Sequence, residues 1–342
     1  MKISKLYILN TKIQCYYYNI AICLRIRRCI QNKKISNSIL FTLIPFFILK
    51  WAICSFLDYI LRKHIEKQKQ NENRQSFKYP IAIVAICKNE GKYIREWIEY
   101  HRLKGINKFF IYDNESNDET KDILKPYIDK GIVSYIFFPG KSQQLKAYND
   151  AINRAYKECK YLAFIDLDEF IYLDNKSLDL YKYIDDMIMS KKGACGIGIN
   201  WCIFGSSGKI EKDDGLVIER FLYSSNASRG YNHHIKTICN PRMIKTYISP
   251  HFPLYKLGAH SINENGTRLY AWYNVINNYQ HLRINHYFTK SKSEFIQKRA
   301  RGLADRIGMY DLEKFNKYDL NDNYDNSMLY YANKIKKEIF DI

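Results

Sequence analysis

The sequence predicts an α/β fold in which a mainly parallel sheet carries helices on both faces. Four short apolar runs are the predicted strands: 81–86, 108–113, 132–138 and 161–166. Three stretches with helical spacing alternate with them: 90–103, 119–128 and 143–159. Short runs rich in Ile, Val and aromatic residues are typical of strands buried on both faces of a parallel sheet. The alternation of strand and helix therefore indicates an α/β domain.

Composition narrows the class of protein. The chain has 342 residues, of which 46% are hydrophobic, so it can bury a core of substantial size. Its nine cysteines include no CxxC pair, and their number is odd. This pattern argues against a disulfide framework or a zinc site and predicts reduced thiols in a cytosolic setting.

The N-terminal arm, residues 1–64, combines positive charge with an apolar stretch. The chain has a net charge of +19, and residues 1–76 alone carry 14 Lys and Arg against 3 Asp and Glu. The stretch 39–61 is long enough to cross a bilayer, but three residues interrupt it: Pro45, Lys50 and Asp58. Basic residues on both flanks favour a segment lying on an anionic membrane surface. We expect membrane association at the cytoplasmic face of the inner membrane; the alternative is a helix packed on the α/β domain.

Three further boundaries follow from composition. Residues 65–78 are polar and lack apolar periodicity, so they are predicted to form a linker. Residues 79–305 contain the predicted α/β domain. Residues 306–342 are rich in Tyr, Asn, Asp and Lys, and we expect a helical or loosely ordered tail there.

An acidic motif, Asp166-Leu167-Asp168, ends the fourth predicted strand. In open α/β sheets, ligands bind outside the carboxyl ends of the strands. On an extended chain the two aspartates project to the same side, and two carboxylates on one face favour a bound cation. Oxygen ligands suit Mg²⁺ or Mn²⁺, which also take substrate phosphates. The motif therefore predicts a metal site for a nucleoside diphosphate leaving group; the alternative is a pair of solvated turn residues.

Four segments in order carry a resemblance to a known family. They are VAICKNEGKYIREWIEYHRLKGINKFFIYDNESND (84–118), FIDLDEF (164–170), NWCIFGSSG (200–208) and INHYFTKSKSEFIQKRARG (284–302). Together they resemble glycosyltransferase family 92 and its bacterial relatives among the family 2-like enzymes. The resemblance implies a Rossmann-like GT-A fold and a nucleotide-sugar donor, for which we expect a UDP-sugar.

By position, the resemblance also assigns residues to the nucleotide. The loop after the first strand is expected to line it: Cys87, Lys88, Asn89 and Glu90. Asp113 is expected to contact the base or ribose, because a carboxylate accepts hydrogen bonds from hydroxyl and N–H groups. Asp113 and Asn114 have the alternative reading of a turn. Gln144, like Lys141, is expected to approach the nucleotide, the alternative being a simple helix N-terminus.

For the metal, the resemblance adds His286 as a third ligand beside Asp166 and Asp168. Imidazole suits Mn²⁺ next to two carboxylates; the alternative is a hydrogen-bonded core histidine. Three basic residues are expected to supply positive charge near the diphosphate, or else to form a solvated helix face: Lys290, Lys298 and Arg299.

The family is inverting, which implies a single displacement in which a carboxylate deprotonates the acceptor hydroxyl. Three acidic residues are candidates for this base, with Glu219 preferred: Asp213, Asp214 and Glu219. Each has the alternative reading of a surface carboxylate. Trp201 and Phe204 are candidates for stacking on a sugar, the alternative being core packing, and His251 and His260 are candidates for shaping the acceptor pocket. The acceptor is expected to be a glycan or lipid-linked glycan of the cell envelope.

Three other functions compete with this reading. A nucleotidyltransferase shares the sheet and acidic site but calls for a Gly-rich phosphate loop, whereas the first strand leads into CKNEGKY with a single Gly. A basic nucleic-acid-binding protein fits the net charge, but the charge clusters around an apolar segment and no aromatic RNA-binding signature occurs. A catalytically inactive sugar-binding module is the third. We therefore predict a metal-dependent glycosyltransferase with no nucleic-acid partner.

Overall fold

The computed structural model describes residues 56–57, 59–275, 281–300 and 312–340. Most of the apolar stretch predicted to associate with a membrane lies outside these residues. Among the residues described, no helix is long and apolar enough to cross a bilayer. The chain divides into two compact units, one comprising residues 1–74 with 257–259 and the other the remainder. In the first unit, residues 59–73 are helical, so the segment predicted as a linker is helical as far as residue 73.

The first half of the larger unit has the predicted alternation. Its elements are β1 (Tyr79–Cys87), α1 (Gly91–Leu103), β2 (Phe109–Asp113), α2 (Thr120–Asp129), β3 (Val133–Phe137), α3 (Gln144–Ala155) and β4 (Cys159–Phe164). All four strands and all three helices predicted from the sequence are confirmed. Strand β4 ends two residues earlier than predicted, and this shift changes the geometry of the acidic motif.

The second half contains short strands and helices that the sequence patterns did not resolve. The strands are β5 (Glu169–Leu173), β6 (Ala194–Ile203), β7 (Tyr223–Ser224), β8 (Ile235–Cys239), β9 (Ile244–Ser249), β10 (Phe252–Tyr255), β11 (His260–Ile262), β12 (Arg268–Leu269), β13 (Leu282–His286) and β14 (Asn323–Tyr324). The helices are α4 (Leu180–Ser190), α5 (Val217–Arg220), α6 (Lys292–Ala300), α7 (Leu312–Tyr318) and α8 (Leu329–Phe340). Two 3₁₀ turns flank β8, at Gly230–His233 and Pro241–Met243.

The central sheet is mixed rather than mainly parallel. Its order is β12-β11-β6-β8-β4-β1-β2-β3, and β13 pairs with both β6 and β5. Strands β4, β1, β2 and β3 are parallel, as predicted. Strand β8 is antiparallel to both β4 and β6, which it separates. The prediction of a mainly parallel sheet is therefore correct for the first four strands, and the second half corrects it to a mixed α/β sheet.

Helices cover both faces of the parallel strands. Alternate side chains of β1 point to opposite faces. Ile83 and Ala85 belong to the large core cluster that includes Trp97 of α1. On β4, Phe164 packs against Tyr148 of α3, with ring centroids 5.0 Å apart. Burial of these strands on both sides explains their continuous apolar sequence.

The C-terminal segment is part of the core. Met328, Tyr331, Ala332 and Ile335 are buried in the same cluster as the central strands. Their spacing of three, one and three residues places them on one face of a helix. The described part of residues 306–342 is therefore packed helix and strand rather than a loose tail.

A buried ion pair ties three elements together near one end of the sheet. The Arg220 guanidinium donates two hydrogen bonds to the Glu294 carboxylate, at 3.0 and 2.8 Å. Tyr93 and Ser291 also donate to this carboxylate, at 2.8 and 2.6 Å. Burial opposes the charge on Glu294, but these donors lower the pKa of its carboxyl to about 2. The pair thus fixes α6 against α1 and α5.

We predict that Arg220→Met destabilises the protein by about 3–5 kcal/mol, because the buried carboxylate of Glu294 loses its counter-ion. The matched control is Arg229→Met, which breaks a largely exposed pair with Asp322 (2.9 Å) and should change stability far less. The measurement is urea unfolding of both variants at pH 7. Since the pKa of Glu294 is lowered, the contribution of the pair is present above the ordinary carboxyl pKa and is lost as the pH falls towards about 2. Equal losses in the two variants would contradict the prediction.

Candidate active site

Five strand ends meet at one edge of the sheet. Strand β4 ends there, and antiparallel β8 begins there, because Phe164 pairs with Thr237. The pairing of Asn200 with Ile235 brings the end of β6 to the same edge. His286, the last residue of β13, lies opposite Glu169, the first residue of β5. Residues far apart in the sequence are thereby assembled around the acidic motif.

The acidic motif is a turn rather than an extended strand. The Glu169 N–H donates to the Asp166 carbonyl at 3.1 Å, and the Glu169 Oε2 accepts from the Asp166 N–H at 3.0 Å. The extended chain from which a common side for Asp166 and Asp168 was predicted is therefore absent here, because the strand ends at Phe164. The two carboxylates are each directed to a different set of partners.

Asp166 contacts a predicted nucleotide residue and a lysine that the sequence patterns did not single out. Gln144 Nε2 donates to Asp166 Oδ1 at 2.9 Å, and Lys236 Nζ lies 2.8 Å from Oδ2. The Asp166 side chain keeps about a third of its surface exposed (34%), so a ligand can reach it. The structure thus brings together Gln144 and Asp166, both predicted to bind the nucleotide.

Asp168 is buried between an imidazole and an ammonium group. Lys298 Nζ contacts Asp168 Oδ2 directly, and His286 Nε2 lies 3.4 Å from the same oxygen. Burial opposes ionisation, but Lys298 and His286 outweigh it and hold the pKa of the Asp168 carboxyl well below its usual range. Burial lowers the pKa of His286, which favours a neutral ring. The structure therefore places two of the predicted metal ligands, Asp168 and His286, side by side. Lys298, which was predicted to lie near the diphosphate, contacts Asp168.

Glu169 and Lys236 are a pair of buried side chains next to Asp166. Both side chains are almost fully buried, and Lys236 Nζ lies 3.7 Å from Glu169 Oε2. Burial raises the pKa of Glu169 well above its usual value. Burial also opposes the charge on Lys236, but Asp166 and Glu169 outweigh it and raise the pKa of the ammonium group. In the described part of the chain, Glu169 Oε1 and His286 Nδ1 lie 3.9 Å apart and neither makes a hydrogen bond.

The loop predicted to line the nucleotide is fastened to the loop after β2. Asn89 has a left-handed backbone, with φ of 54°. Its N–H donates to Ser116 Oγ at 2.9 Å, and its Oδ1 accepts from the Asn117 N–H at 2.8 Å. The Asn114 N–H donates to the Cys87 carbonyl at 2.8 Å. Lys88 and Glu90 belong to the same loop, whose role in nucleotide binding stays a prediction.

Asp113 and Asn114 have structural roles at this edge. Asp113 accepts from the Ser116 N–H at 2.9 Å, which is the predicted turn, and from the Tyr135 hydroxyl. The Asn114 side chain donates to the carbonyls of Phe138 and Gly140, at 2.9 and 2.8 Å. Asn114 therefore joins the loops after β1, β2 and β3, a role that only the fold reveals.

The three candidate bases lie in or just before α5, and two have cationic partners. Glu219 accepts from the Leu216 N–H at 2.8 Å and pairs with Lys336 at 2.5 Å. Asp213 pairs with Lys209 at 2.5 Å and with Arg220 at 3.2 Å. Asp214 is exposed. Among the residues described, none of the three makes a hydrogen bond or ion pair to the acidic motif. Their catalytic role stays a prediction.

Of the other residues named from the sequence, some pack in the core and others lie next to the site. Phe204 is buried against Tyr287, with ring centroids 4.7 Å apart, so it packs in the core. Trp201 lies against His286 at 4.4 Å and therefore faces the site. Lys290 lies over the Tyr93 ring at 3.6 Å, beside the ion pair that anchors α6.

Comparison with known proteins identifies the family of the chain. Residues 84–317, well over half of the chain, match glycosyltransferase family 92. The chain therefore belongs to glycosyltransferase family 92. The match confirms the family predicted from the four sequence segments and, with it, the enzyme class.

Curated relatives are similar over part of their length. A glycosyltransferase family 92 protein of Ricinus communis is 29% identical over 38% of this chain and 24% of its own length. A β-1,4-galactosyltransferase of Caenorhabditis elegans is 30% identical over 39% of this chain and 34% of its own. A galactan β-1,4-galactosyltransferase of Arabidopsis thaliana is 33% identical over 25% and 18%. The chain thus matches about a third or less of each of these relatives.

Similar solved structures include two bacterial proteins. TarS of Staphylococcus aureus is 18% identical, with a TM-score of 0.32, over 48% of this chain and 47% of that one. Glucosyl-3-phosphoglycerate synthase of Mycobacterium tuberculosis is 13% identical, with a TM-score of 0.30, over 56% and 71%. The family assignment rests on the family match and the curated relatives.

We predict that Lys236→Met costs about 3–5 kcal/mol of stability, because Asp166 and Glu169 lose their shared buried counter-ion. Adding Glu169→Gln should recover part of the loss, since it replaces the more deeply buried of the two acidic side chains with a neutral amide. The control is Lys130→Met at an exposed position, which should change stability by less than about 0.5 kcal/mol. The measurement is the free energy of unfolding in urea at pH 7. If Glu169→Gln gave no recovery in the Lys236→Met background, the assigned charge balance would be wrong.

Proposed function

We propose that the chain transfers a sugar from a nucleotide-diphosphate sugar to the hydroxyl group of a glycan or lipid-linked acceptor. The observation that carries the proposal is the cluster at the carboxyl edge of β4. There Asp168 contacts both His286 and Lys298, and Asp166 contacts Gln144 and Lys236. Clustered, fixed charges of this kind suit a reaction in which negative charge develops on a departing diphosphate.

The donor atoms at the site fit a divalent cation. Carboxylate oxygens of Asp166 and Asp168 and the Nε2 of His286 would hold it, and this set suits Mn²⁺ or Mg²⁺. In the part of the chain that the structure describes, no three such side chains are already gathered as a metal site. One of these carboxylates, that of Asp168, is in contact with the ammonium group of Lys298. When bound, the metal would neutralise charge on the diphosphate.

The chemistry proposed is a single inverting displacement. The acceptor oxygen forms a bond to the anomeric carbon while the bond from that carbon to the diphosphate oxygen breaks. The electron pair leaves with the diphosphate, and the acceptor proton passes to a carboxylate. Asp213, Asp214 and Glu219 stay the candidates for that base. Lys298 is placed to compensate the charge of the leaving group.

For the donor we propose UDP-galactose and for the acceptor a β-galactoside. Both assignments follow the names of the similar proteins from Caenorhabditis elegans and Arabidopsis thaliana, which are β-1,4-galactosyltransferases. We further propose that residues 1–64 hold the enzyme on an anionic membrane surface at the cytoplasmic face, where a lipid-linked glycan is accessible. The excess of Lys and Arg in this arm supports that part of the proposal.

We predict that Asp168→Asn lowers metal-dependent turnover of UDP-galactose by at least about 100-fold, because it removes a charged ligand oxygen at the diphosphate. Asp186→Asn, an exposed position on α4, should leave turnover unchanged. The measurement is release of UDP with Mn²⁺ and a β-galactoside present. Unfolding midpoints of both variants separate lost chemistry from lost structure. Full activity of a folded Asp168→Asn protein would refute the assigned site.

We also predict that Lys298→Met strengthens Mn²⁺ binding in the absence of nucleotide by roughly 10-fold, or about 1.4 kcal/mol. The reason is that the ammonium group no longer competes with the cation for Asp168 Oδ2. Lys292→Met, at an exposed position on the same helix, is the control. Calorimetric titration of Mn²⁺ measures the effect without any turnover. Unchanged or weaker Mn²⁺ binding by Lys298→Met would show that lysine and metal do not share this carboxylate.

A further inference from the structure

Three imidazole rings surround Trp201 beside the acidic motif. His234 stacks on the indole, with ring centroids 5.1 Å apart and an interplanar angle of 22°. His251 and His286 meet it at 5.1 and 4.4 Å with steeper angles. The rings of His234 and His251 are 5.6 Å apart. Sequence reasoning named Trp201 and His251 one at a time, whereas the fold shows them as one cluster.

Backbone carbonyl groups fix the tautomers of two of these rings. His234 Nδ1 lies 3.2 Å from the Tyr231 carbonyl, and His251 Nδ1 lies 3.0 Å from the Ile235 carbonyl. A carbonyl oxygen only accepts, so each Nδ1 carries the hydrogen. In a neutral ring the Nε2 atom is then a hydrogen-bond acceptor. Both side chains are partly exposed, and neither Nε2 makes a hydrogen bond within the described residues.

The lowered pKa values of these rings favour the neutral form, in which Nε2 can accept a hydrogen bond. Burial lowers the pKa of His234. Burial, together with the nearby charge of Lys236, lowers the pKa of His251 to about 3. Both rings are therefore neutral at pH 7. Because the charges of Lys236 and Asp166 act on His251, the ring lies within electrostatic range of the proposed diphosphate site.

Simple packing does not account for this arrangement. A histidine that only fills a core has both ring nitrogens satisfied. Here a backbone carbonyl fixes the orientation of each ring through its Nδ1 atom. The Nε2 atom of each ring is left as an acceptor without a hydrogen bond among the described residues. Trp201 is buried under His234 and supports the two rings, whose neutral acceptor atoms suit the hydroxyl groups of a sugar. A charged ligand group would gain little from two neutral rings.

We propose that His234 and His251, which pack on the buried Trp201, form a subsite for a pyranose ring, in which the two Nε2 atoms accept hydrogen bonds from sugar hydroxyl groups. This inference rests on the proposed glycosyl transfer, because it names the residues that bind the uncharged sugar of one of the two substrates. The sugar is either the one carried by the donor or the terminal sugar of the acceptor. The two sources share this chemistry, and the experiment below distinguishes them.

The experiment replaces each acceptor nitrogen with carbon in His234→Phe and His251→Phe, with His281→Phe at an exposed position as control. Binding of UDP, UDP-galactose and methyl β-galactoside is measured by calorimetry in the presence of Mn²⁺. Each variant should bind the relevant sugar about 3- to 10-fold more weakly, while binding of UDP stays unchanged. Unchanged UDP binding rules out general damage to the site. His251→Asn, which keeps an acceptor oxygen, should recover part of the affinity.

The outcomes separate the possibilities. Weaker binding of UDP-galactose but not of methyl β-galactoside assigns the subsite to the donor sugar, and the reverse assigns it to the acceptor. The subsite is refuted if both variants bind every probe as tightly as the wild type does. It is also refuted if the wild type binds UDP-galactose no more tightly than UDP and does not bind methyl β-galactoside above the buffer control. Sugar binding that depends on the histidines without any transfer would instead refute the proposed function and leave the subsite in place.

Discussion

The buried ammonium group of Lys236 is the interaction on which the site depends. It lies 2.8 Å from Asp166 and 3.7 Å from Glu169, in a position almost closed to solvent. The turn 166–169 carries three carboxylates, and without a cation beneath it their mutual repulsion and desolvation would oppose folding. The antiparallel course of β8 is what delivers Lys236 to this point. The mixed sheet is therefore a condition for the acidic motif to exist in this form.

The first half of the fold was predictable because its signals are local. Each of the first four strands is an apolar run bounded by a helix, so the sequence shows both its position and its neighbours. The site was less accessible, because Lys236 sits inside a short strand 70 residues from Asp166 and has no distinguishing local pattern. His286 and Lys298 could be named only through resemblance to the family. Their meeting at Asp168 requires the pairing of β13 with β5, which no local pattern specifies.

The C-terminal segment shows how composition can hide a core element. Its Tyr, Asn, Asp and Lys content suggested a tail, yet Met328, Tyr331, Ala332 and Ile335 recur at helical spacing and are buried. Tyrosine contributes to the difference, because it carries a polar hydroxyl group but buries a large ring when that hydroxyl has a partner. Tyr331, for example, receives a hydrogen bond from Lys104 at 2.6 Å. Spacing was the better guide than composition in this segment.

Charge is divided across the site in a way that matches a nucleotide-sugar. Around Asp166 and Asp168 the neighbours include two lysines, so charge compensation dominates there. Around Trp201 the neighbours are imidazoles that burial keeps neutral. A diphosphate needs compensation of charge, whereas a sugar needs an aromatic face and neutral hydrogen-bond acceptors. His286 belongs to both groups, since it contacts Asp168 on one side and Trp201 on the other. The boundary therefore separates a region suited to a diphosphate from one suited to a neutral sugar, whether that sugar belongs to the donor or to the acceptor.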